Sequence, residues 1–196
     1  INWEKRSLQA FADRPIDQMV DEFDLMVIDY PHVGEVSAKG LLQKFDIDKY
    51  QDELNLLKEQ SVGLSHQSYN IDGHQWALAI DAATQVSCFR KDLISSLPQS
   101  WNDLLNLSKQ NKVLWPLKPV HAISSFYSIY NNITEEFNPE DKNFINKEFG
   151  IKTLEMMKNI SAYLISDCFV MDPINTAEIL SSDDDFYYSP YTYGFS

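Results

Sequence analysis

Two short, uninterrupted apolar runs constrain the fold of this chain more than any other feature of its sequence. Residues 25–28 read Leu-Met-Val-Ile between Asp24 and Asp29, and residues 113–115 read Val-Leu-Trp before Pro116. Runs of this length without polar alternation are typical of strands buried on both faces, and parallel sheets contain such strands. We therefore expect both runs to be buried strands of parallel sheets.

Helix signals lie between and after these runs. Residues 16–23 place apolar side chains on one face behind Pro15, and Asp13 is a suitable N-cap. Ser100 and Asp103 form a capping-box pattern at the start of another helix. Further helices are expected at residues 48–60, from about residue 122, and at residues 149–165. The alternation of strands and helices predicts an α/β protein with a boundary at about residues 90–98.

Other strand signals flank these helices. The dipeptide Asp72-Gly73 is a typical hairpin turn. We expect strands after it at residues 75–80 and 85–89, and an aromatic-rich strand at residues 186–195.

The charge balance excludes several classes of partner. The chain has 29 acidic and 16 basic residues, and its formal net charge is −13. Binding to nucleic acid or to an anionic membrane surface depends on clustered basic residues, so neither partner is expected. No apolar run approaches the ~20 residues of a membrane-spanning helix. The cysteines, Cys88 and Cys168, fit no disulfide framework or metal motif.

Six segments carry a resemblance to a known family. They are Phe-Asp-Leu-Met-Val-Ile (23–28), Gly-Leu-Leu (40–42), Tyr-Asn-Ile-Asp-Gly (69–73), Ala-Leu-Ala-Ile (77–80), Phe-Arg-Lys-Asp-Leu (89–93) and Pro-Gln-Ser-Trp-Asn-Asp-Leu (98–104). In this order and spacing they resemble family 1 of the extracellular solute-binding proteins of ABC importers, which includes the maltose-binding protein. The chain departs from the family pattern at Ala79, where proline is usual.

The resemblance implies a fold and a domain organisation. The expected fold is α/β, periplasmic-binding-protein-like type II, with two lobes of mainly parallel sheet, and incomplete at both ends. Lobe one, partial and with crossing strands, would cover residues 1–90, and lobe two residues 95–185. Residues 186–196 would begin the segment that returns to lobe one. The chain would then be the central part of a longer binding protein.

The resemblance also implies a function. Such a protein captures a small molecule, sugar-like or another small polar solute, between its lobes and delivers it to the membrane permease of an ABC transporter. It would be a periplasmic or extracellular protein, with a signal peptide and optionally a lipid anchor in its full-length form. It would be monomeric when complete, would need no cofactor or metal, and would not be an enzyme.

Candidate ligand-binding residues follow from the family's loop positions. Asp29, Tyr30, Pro31 and His32 occupy the first ligand loop, although the same residues also suit a simple turn. A carboxylate accepts hydrogen bonds from hydroxyl or amino groups, while tyrosine and histidine donate or stack. Asp81 lies where the family's chain crosses the cleft floor.

The second half of the chain supplies the remaining candidates. Lys118, Pro119 and His121 match the loop after the first strand of lobe two. Ser124 lies in the same segment, where capping of the next helix is the alternative. Tyr191 is a stacking candidate, but aromatic residues on a strand are more often part of a core.

Two other functions remain open. Ferric-ion-binding proteins of the same superfamily hold iron through neighbouring tyrosines, and Tyr187-Tyr188 offers such a pair, with His32 and Asp29 as further ligands. An α/β hydrolytic enzyme would use Ser124 or Ser125 with His32 or His121 and with Asp29 or Asp81. No Gly-x-Ser-x-Gly motif supports the hydrolase.

The tryptophans at positions 76, 101 and 115 lie in apolar periodic segments. Packing is therefore a stronger interpretation for them than stacking on a ligand.

Overall fold

A computed structural model describes residues 1–7, 14–45, 48–134, 145–182 and 184–193. The chain divides into two compact units, Ile1–Ala82 and Ala83–Ser196. The predicted N-cap Asp13 lies outside the described residues.

The first unit is made of short helices and one hairpin. Its apolar core contains Ile16, Met19, Val33, Val36 and Trp76. In chain order the elements are a 3-10 turn at Ile16–Gln18, a 3-10 turn at Tyr30–His32, helix α1 at Val33–Lys39, a 3-10 turn at Asp48–Tyr50, helix α2 at Gln51–Gln60, a 3-10 turn at Gln67–Tyr69, and strands β1 at Asn70–Ile71 and β2 at His74–Gln75.

The hairpin of the first unit confirms the turn predicted at Asp72-Gly73. Strands β1 and β2 pair antiparallel, with Asn70 opposite Gln75. Both turn residues have positive φ, 54° for Asp72 and 77° for Gly73. A two-residue turn with both φ values positive matches the right-handed twist of the flanking strands.

Within the described residues, the second unit is built from four helices, two of them 15 residues long, and a pair of strands. In chain order these are β3 at Val86–Phe89, α3 at Trp101–Ser108, α4 at Pro119–Ile133, α5 at Lys147–Ser161, a 3-10 turn at Ser166–Phe169, α6 at Pro173–Leu180 and β4 at Tyr188–Thr192. Strands β3 and β4 pair antiparallel with an irregularity between Val86 and Cys88.

Side-chain caps fix the starts of three helices in the second unit. The hydroxyl of Ser100 accepts a hydrogen bond from the Asp103 N–H, which confirms the predicted cap of α3. Asn146 caps α5 through the N–H groups of Glu148 and Phe149. A capping box between Asp172 and Asn175 starts α6. Caps of this kind stabilise a helix by about 1 kcal/mol each.

Trp115 lies at the centre of the core of the second unit and is fully buried. The rest of this core comes from three helices, from β4 and from the extended segment around Trp115, and its buried members are Leu104, Val113, Leu117, Ile129, Ile160 and Tyr188. Burial of Trp76 and Trp115 confirms the packing interpretation for both residues.

The predicted fold class is wrong for this chain. Helices account for 45% of the described residues, and the two sheets found there are two-stranded and antiparallel. The structure therefore differs from an α/β protein with two lobes of mainly parallel sheet. Parallel pairing in the described residues is limited to one isolated bridge, between Val113 and Tyr188.

The first apolar run, residues 25–28, is extended but does not form a strand. Leu25 and Val27 are 57% and 42% exposed, while Met26 and Ile28 pack against the core. The guanidinium of Arg6 donates to the Val27 carbonyl oxygen at 3.0 Å. A side chain thus binds a backbone group that a neighbouring strand would otherwise bind. The alternation of exposed and packed side chains gives the run one buried face rather than two.

The second apolar run, residues 113–115, is buried as predicted but is not part of a parallel sheet. On one side the Leu114 N–H donates to the Tyr188 carbonyl oxygen at 2.9 Å. On the other side the Trp115 N–H lies 3.5 Å from the Cys168 sulfur. Because a 3-10 turn rather than a strand covers this second side, the ladder ends there.

Candidate functional site

The first candidate loop, residues 29–32, leads into helix α1. Asp29 precedes the 3-10 turn Tyr30–His32, and its side chain makes no capping hydrogen bond. Its carbonyl oxygen accepts from the His32 N–H at 3.1 Å. Asp29, Tyr30 and Pro31 are exposed and His32 is half-buried. Three of these four predicted residues therefore present their side chains to solvent.

Tyr69 lies beside this loop and was not predicted as a site residue. Its ring meets the ring of Tyr30 edge to face, with 6.2 Å between centroids. Burial raises the pKa of Tyr69 above its ordinary value of 10.0, and the Asp29 carboxylate adds to the shift. The Tyr69 phenol therefore stays protonated at neutral pH. A hydroxyl donor and the carboxylate acceptor of Asp29 are neighbours here.

Asp81 is exposed near the end of the first unit. Its carboxylate accepts a hydrogen bond from the Ala82 N–H at 2.7 Å. This bond to the next residue leaves lone pairs of the carboxylate for other donors.

The second candidate loop, residues 118–124, begins helix α4 in the second unit. Lys118 is the N-cap residue, without a side-chain cap, and Pro119 is the first helical residue. Proline suits this position because its missing N–H would have no partner inside the helix. The Ser124 hydroxyl donates to the Val120 carbonyl oxygen at 2.9 Å, so Ser124 does not cap the helix.

His121 projects from the first turn of α4 and is half-buried. Burial lowers the pKa of His121 below its ordinary value of 6.5; the Asp172 carboxylate opposes this shift and the Lys118 ammonium adds to it. At neutral pH the imidazole is therefore neutral, with one nitrogen as a donor and the other as an acceptor. The charges of Lys118 and Asp172 thus both act on the neutral imidazole of His121 at this end of α4.

A network of polar side chains connects the first turns of α4 to other segments of the second unit. The Trp115 indole N–H donates to the Ser125 hydroxyl at 3.0 Å. The Gln85 carboxamide donates to the same hydroxyl at 3.4 Å and accepts from the Ser128 hydroxyl at 2.7 Å. These bonds connect α4 to residues on two other segments of the second unit, so they fix its position.

Tyr191, the last predicted residue, packs among aromatic rings. Its ring centroid lies 6.3 Å from that of Trp101 and 6.2 Å from that of Trp115. Burial, with a smaller contribution from Tyr188, raises the pKa of Tyr191 to about 12. The phenol is neutral at physiological pH and its ring is already engaged in core contacts.

The structure thus groups the predicted residues within each unit. Residues 29–32 share one loop of the first unit, and Lys118, Pro119, His121 and Ser124 share one helix start of the second. Tyr191 contacts Trp115, which is bonded to α4 through Ser125.

Two grooves were missed by the sequence analysis, and none of the predicted residues lines either of them. The α5 groove, of about 410 Å³, is lined by Trp101, Asn102, Leu105, Ile133, Phe149, Lys152, Glu155, Met156, Asn159 and Ile160. The α2 groove, of about 650 Å³, is lined by Gln51, Leu54, Asn55, Lys58, His66, Gln67, Asn70, Gly73, His74 and Gln75. The density of Asn and Gln between residues 51 and 75 is the sequence signal that indicates the second groove.

Metal ligands do not converge in the part of the chain that the structure describes. No group of three or more His, Cys, Asp or Glu side chains there could hold a metal ion. Of the tyrosine pair considered for iron, Tyr187 has the Lys112 ammonium 4.9 Å from its ring centroid, and Tyr188 is buried in the core.

Comparison with known proteins adds no family assignment. No protein-family model matches the chain, and no curated protein matches it. Among the described residues, no helix is both long enough and apolar enough to span a membrane.

Proposed function

We propose that this chain binds a small polar solute, sugar-like or of another kind, and belongs to a binding protein that supplies an ABC importer. Two lines of support meet in this proposal. One is the order and spacing of the segments that resemble the extracellular solute-binding proteins. The other is the solvent access of both candidate loops, where Asp29 and Tyr30 are exposed and Lys118 and His121 are half-buried. The proposal places the protein outside the cytoplasm, with the importer's permease as its partner.

The proposal rests mainly on the second loop, where polar side chains lie on a helix start that hydrogen bonds hold in position. Lys118 and His121 stand at the start of a helix whose Ser125 is bonded to Trp115 through a buried hydrogen bond and to Gln85 through a partly buried one. Side chains on a fixed support lose little conformational freedom on binding, which favours affinity. The neutral imidazole and the ammonium together offer donors and an acceptor for hydroxyl or carbonyl groups.

The same contacts favour binding over hydrolysis. The Ser125 hydroxyl is fully buried and accepts from Trp115, and the Ser124 hydroxyl donates to a backbone carbonyl of its own helix. An acyl-transfer nucleophile needs a histidine base within hydrogen-bond reach. No hydrogen bond joins either serine to a histidine among the residues that the structure describes.

Native mass spectrometry of freshly purified, unheated protein tests the proposal. We expect a retained small molecule, which calorimetry then titrates against wild type and variants. His121→Ala and Lys118→Ala should each weaken its binding about tenfold, because each removes a polar contact. Lys91→Ala, an exposed lysine in the same unit, should bind as wild type does.

Two outcomes contradict the proposal. One is the absence of a retained molecule together with the absence of thermal stabilisation by a panel of sugars, polyols and amino acids. The other is wild-type affinity in both loop variants, which would remove the second loop from the site.

A further inference from the structure

The α2 groove lies within the first unit, between helix α2 and the segment that leads into the hairpin. Its volume of about 650 Å³ falls in the range of small-molecule sites. Helix α2 contributes Gln51, Leu54, Asn55 and Lys58. The other wall comes from His66 and Gln67 and from the hairpin.

The lining of this groove is polar and carries no carboxylate. Five of the ten lining residues have carboxamide side chains, and the charged or titratable ones are Lys58, His66 and His74. The Lys58 ammonium forms no ion pair with any residue that the structure describes. The chain has a net charge of −13, yet the lining of this groove contains a lysine and no acidic residue. Its charge favours an anionic occupant.

His66 provides the second observation that points to a ligand. The residue is only 6% exposed, yet it lines the groove. Its backbone is fixed on both sides, since its N–H donates to the Ser61 hydroxyl at 2.9 Å and its carbonyl accepts from the Gln75 carboxamide at 3.0 Å. Its imidazole makes no hydrogen bond to any described residue. The His66 ring nitrogens are not among the side-chain atoms that the described residues bury without a partner, so they stay accessible and a molecule in the groove can bond to them.

Electrostatics at His66 are consistent with this role. Burial lowers the pKa of His66 below 6.5, and the Lys58 ammonium lowers it further. Both effects favour the neutral imidazole, and Lys58 lines the same groove.

The carboxamides along the groove are partly organised by one another. The Asn70 carboxamide donates to the Gln75 side-chain oxygen at 3.4 Å, and the Gln75 amide group donates to the Ala77 carbonyl at 2.8 Å. On α2, Gln51 donates to Asn55 at 3.5 Å. The Gln67 side chain makes no hydrogen bond within the described part of the chain. Carboxamides both donate and accept, so they suit a ligand that carries several hydroxyl groups.

We propose that the α2 groove binds a small hydroxylated carboxylate, whose carboxylate group pairs with Lys58 and His66 and whose hydroxyl groups contact the carboxamides. One ammonium and one imidazole match a single negative charge. The lining contains no phenyl or indole ring, which is the usual platform for a neutral pyranose. This site is separate from the second loop, so it does not depend on the proposed function.

Calorimetric titration of the whole chain at low salt with sodium gluconate tests this site. D-Glucose serves as the neutral probe of similar size, and inorganic phosphate serves as the anion without a carbon chain. We expect gluconate to bind with a dissociation constant below about 10 mM, and glucose and phosphate to bind at least about tenfold more weakly. Added salt should weaken the binding of gluconate.

Variants locate the site. Lys58→Met should weaken gluconate binding about tenfold or more, since it removes the charge from an exposed position without disturbing the core. Lys5→Met changes the net charge equally on an exposed residue outside the groove, and it should leave the affinity within about twofold of wild type. His66→Gln should weaken binding as well, with circular dichroism to confirm that the variant is folded.

Several results overturn the inference. They are no binding of gluconate at about 10 mM, equal binding of glucose or phosphate, or an unchanged affinity in Lys58→Met. Because Lys58 is exposed, its variant reports on the site even if His66→Gln does not fold. The His121→Ala variant of the second loop should bind gluconate as wild type does, so failure of this inference is distinguishable from failure of the proposed function.

Discussion

Replacement of Ser125 by alanine tests whether the buried network under α4 holds the second unit together. Ser125 and Trp115 are both 0% exposed, and the indole N–H donates to the Ser125 hydroxyl at 3.0 Å. The variant leaves this donor buried without an acceptor, which costs about 1–3 kcal/mol. Loss of the longer 3.4 Å bond from the half-buried Gln85 adds less than about 1 kcal/mol. We therefore expect the free energy of unfolding to fall by about 1–4 kcal/mol.

Urea unfolding monitored by tryptophan fluorescence measures this change, with Ser124→Ala as the matched control. Ser124 precedes Ser125 on the same helix, but its hydroxyl bonds only a carbonyl of its own helix. Its removal should cost less than about 0.5 kcal/mol. A double-mutant cycle with Trp115→Phe should give a coupling energy of about 1 kcal/mol or more, since phenylalanine has no N–H. Equal stability of Ser125→Ala and Ser124→Ala would refute the argument that the network is structural.

Three further predictions follow from other parts of the structure. Burial lowers the pKa of His121 in the folded state, so the folded state binds fewer protons than the unfolded state. The contribution of His121 to stability is therefore full above pH 6.5. It is lost as the pH falls from 6.5 towards the pKa of the folded state. Denaturation across this pH range should show a shallower fall for His121→Gln, and an identical slope would contradict the assignment. Ser100→Ala should lower the free energy of unfolding by about 1 kcal/mol through loss of the α3 cap, and an unchanged urea midpoint would contradict this. In a spectrophotometric titration, Tyr191→Phe should remove a phenolate transition near pH 12, and persistence of that transition would show that another tyrosine produces it.

Local sequence signals predicted local structure well. The Asp72-Gly73 turn and the Ser100 cap are both present, because each depends on a few neighbouring residues. Helix α4 begins three residues before the predicted start, at Pro119 rather than Ala122. Proline at the first helical position is itself a start signal, but the sequence analysis assigned Pro119 to the loop before the helix.

Strand predictions failed where the outcome depended on distant partners. Residues 76–80 were expected to extend the strand after the hairpin, but β2 ends at Gln75 and Ile80 is 78% exposed. Residues 25–28 lack a strand neighbour in the described structure, and Arg6 binds one of their carbonyl groups. An apolar run shows that a segment prefers burial on at least one face, but it does not show which segment will bind its backbone.

The candidate loops and the α2 groove differ in how far the sequence could predict them. Residues 29–32 and 118–124 are continuous segments, so a resemblance in sequence is enough to indicate them. The groove is formed by α2 and by residues 66–75, and its wall residues are brought together only by folding. A list of carboxamides in the sequence suggests polarity, but the enclosure of His66 and the approach of Lys58 are properties of the tertiary structure.

Whether a polar side chain already has a hydrogen-bond partner distinguishes structural groups from ligand-binding groups in this protein. The Trp115 N–H and the Ser125 hydroxyl are fully buried and bonded to each other, so a ligand would have to break a good hydrogen bond to reach them. The Thr192 hydroxyl is buried without a partner, but it lines neither groove, so no ligand reaches it there. The His66 imidazole makes no hydrogen bond within the described structure, and its ring nitrogens are accessible in a residue that lines a groove. An imidazole with a structural role would be hydrogen-bonded to the protein, whereas this one is available to a ligand. The α2 groove is therefore a stronger candidate for ligand binding than the network beneath α4.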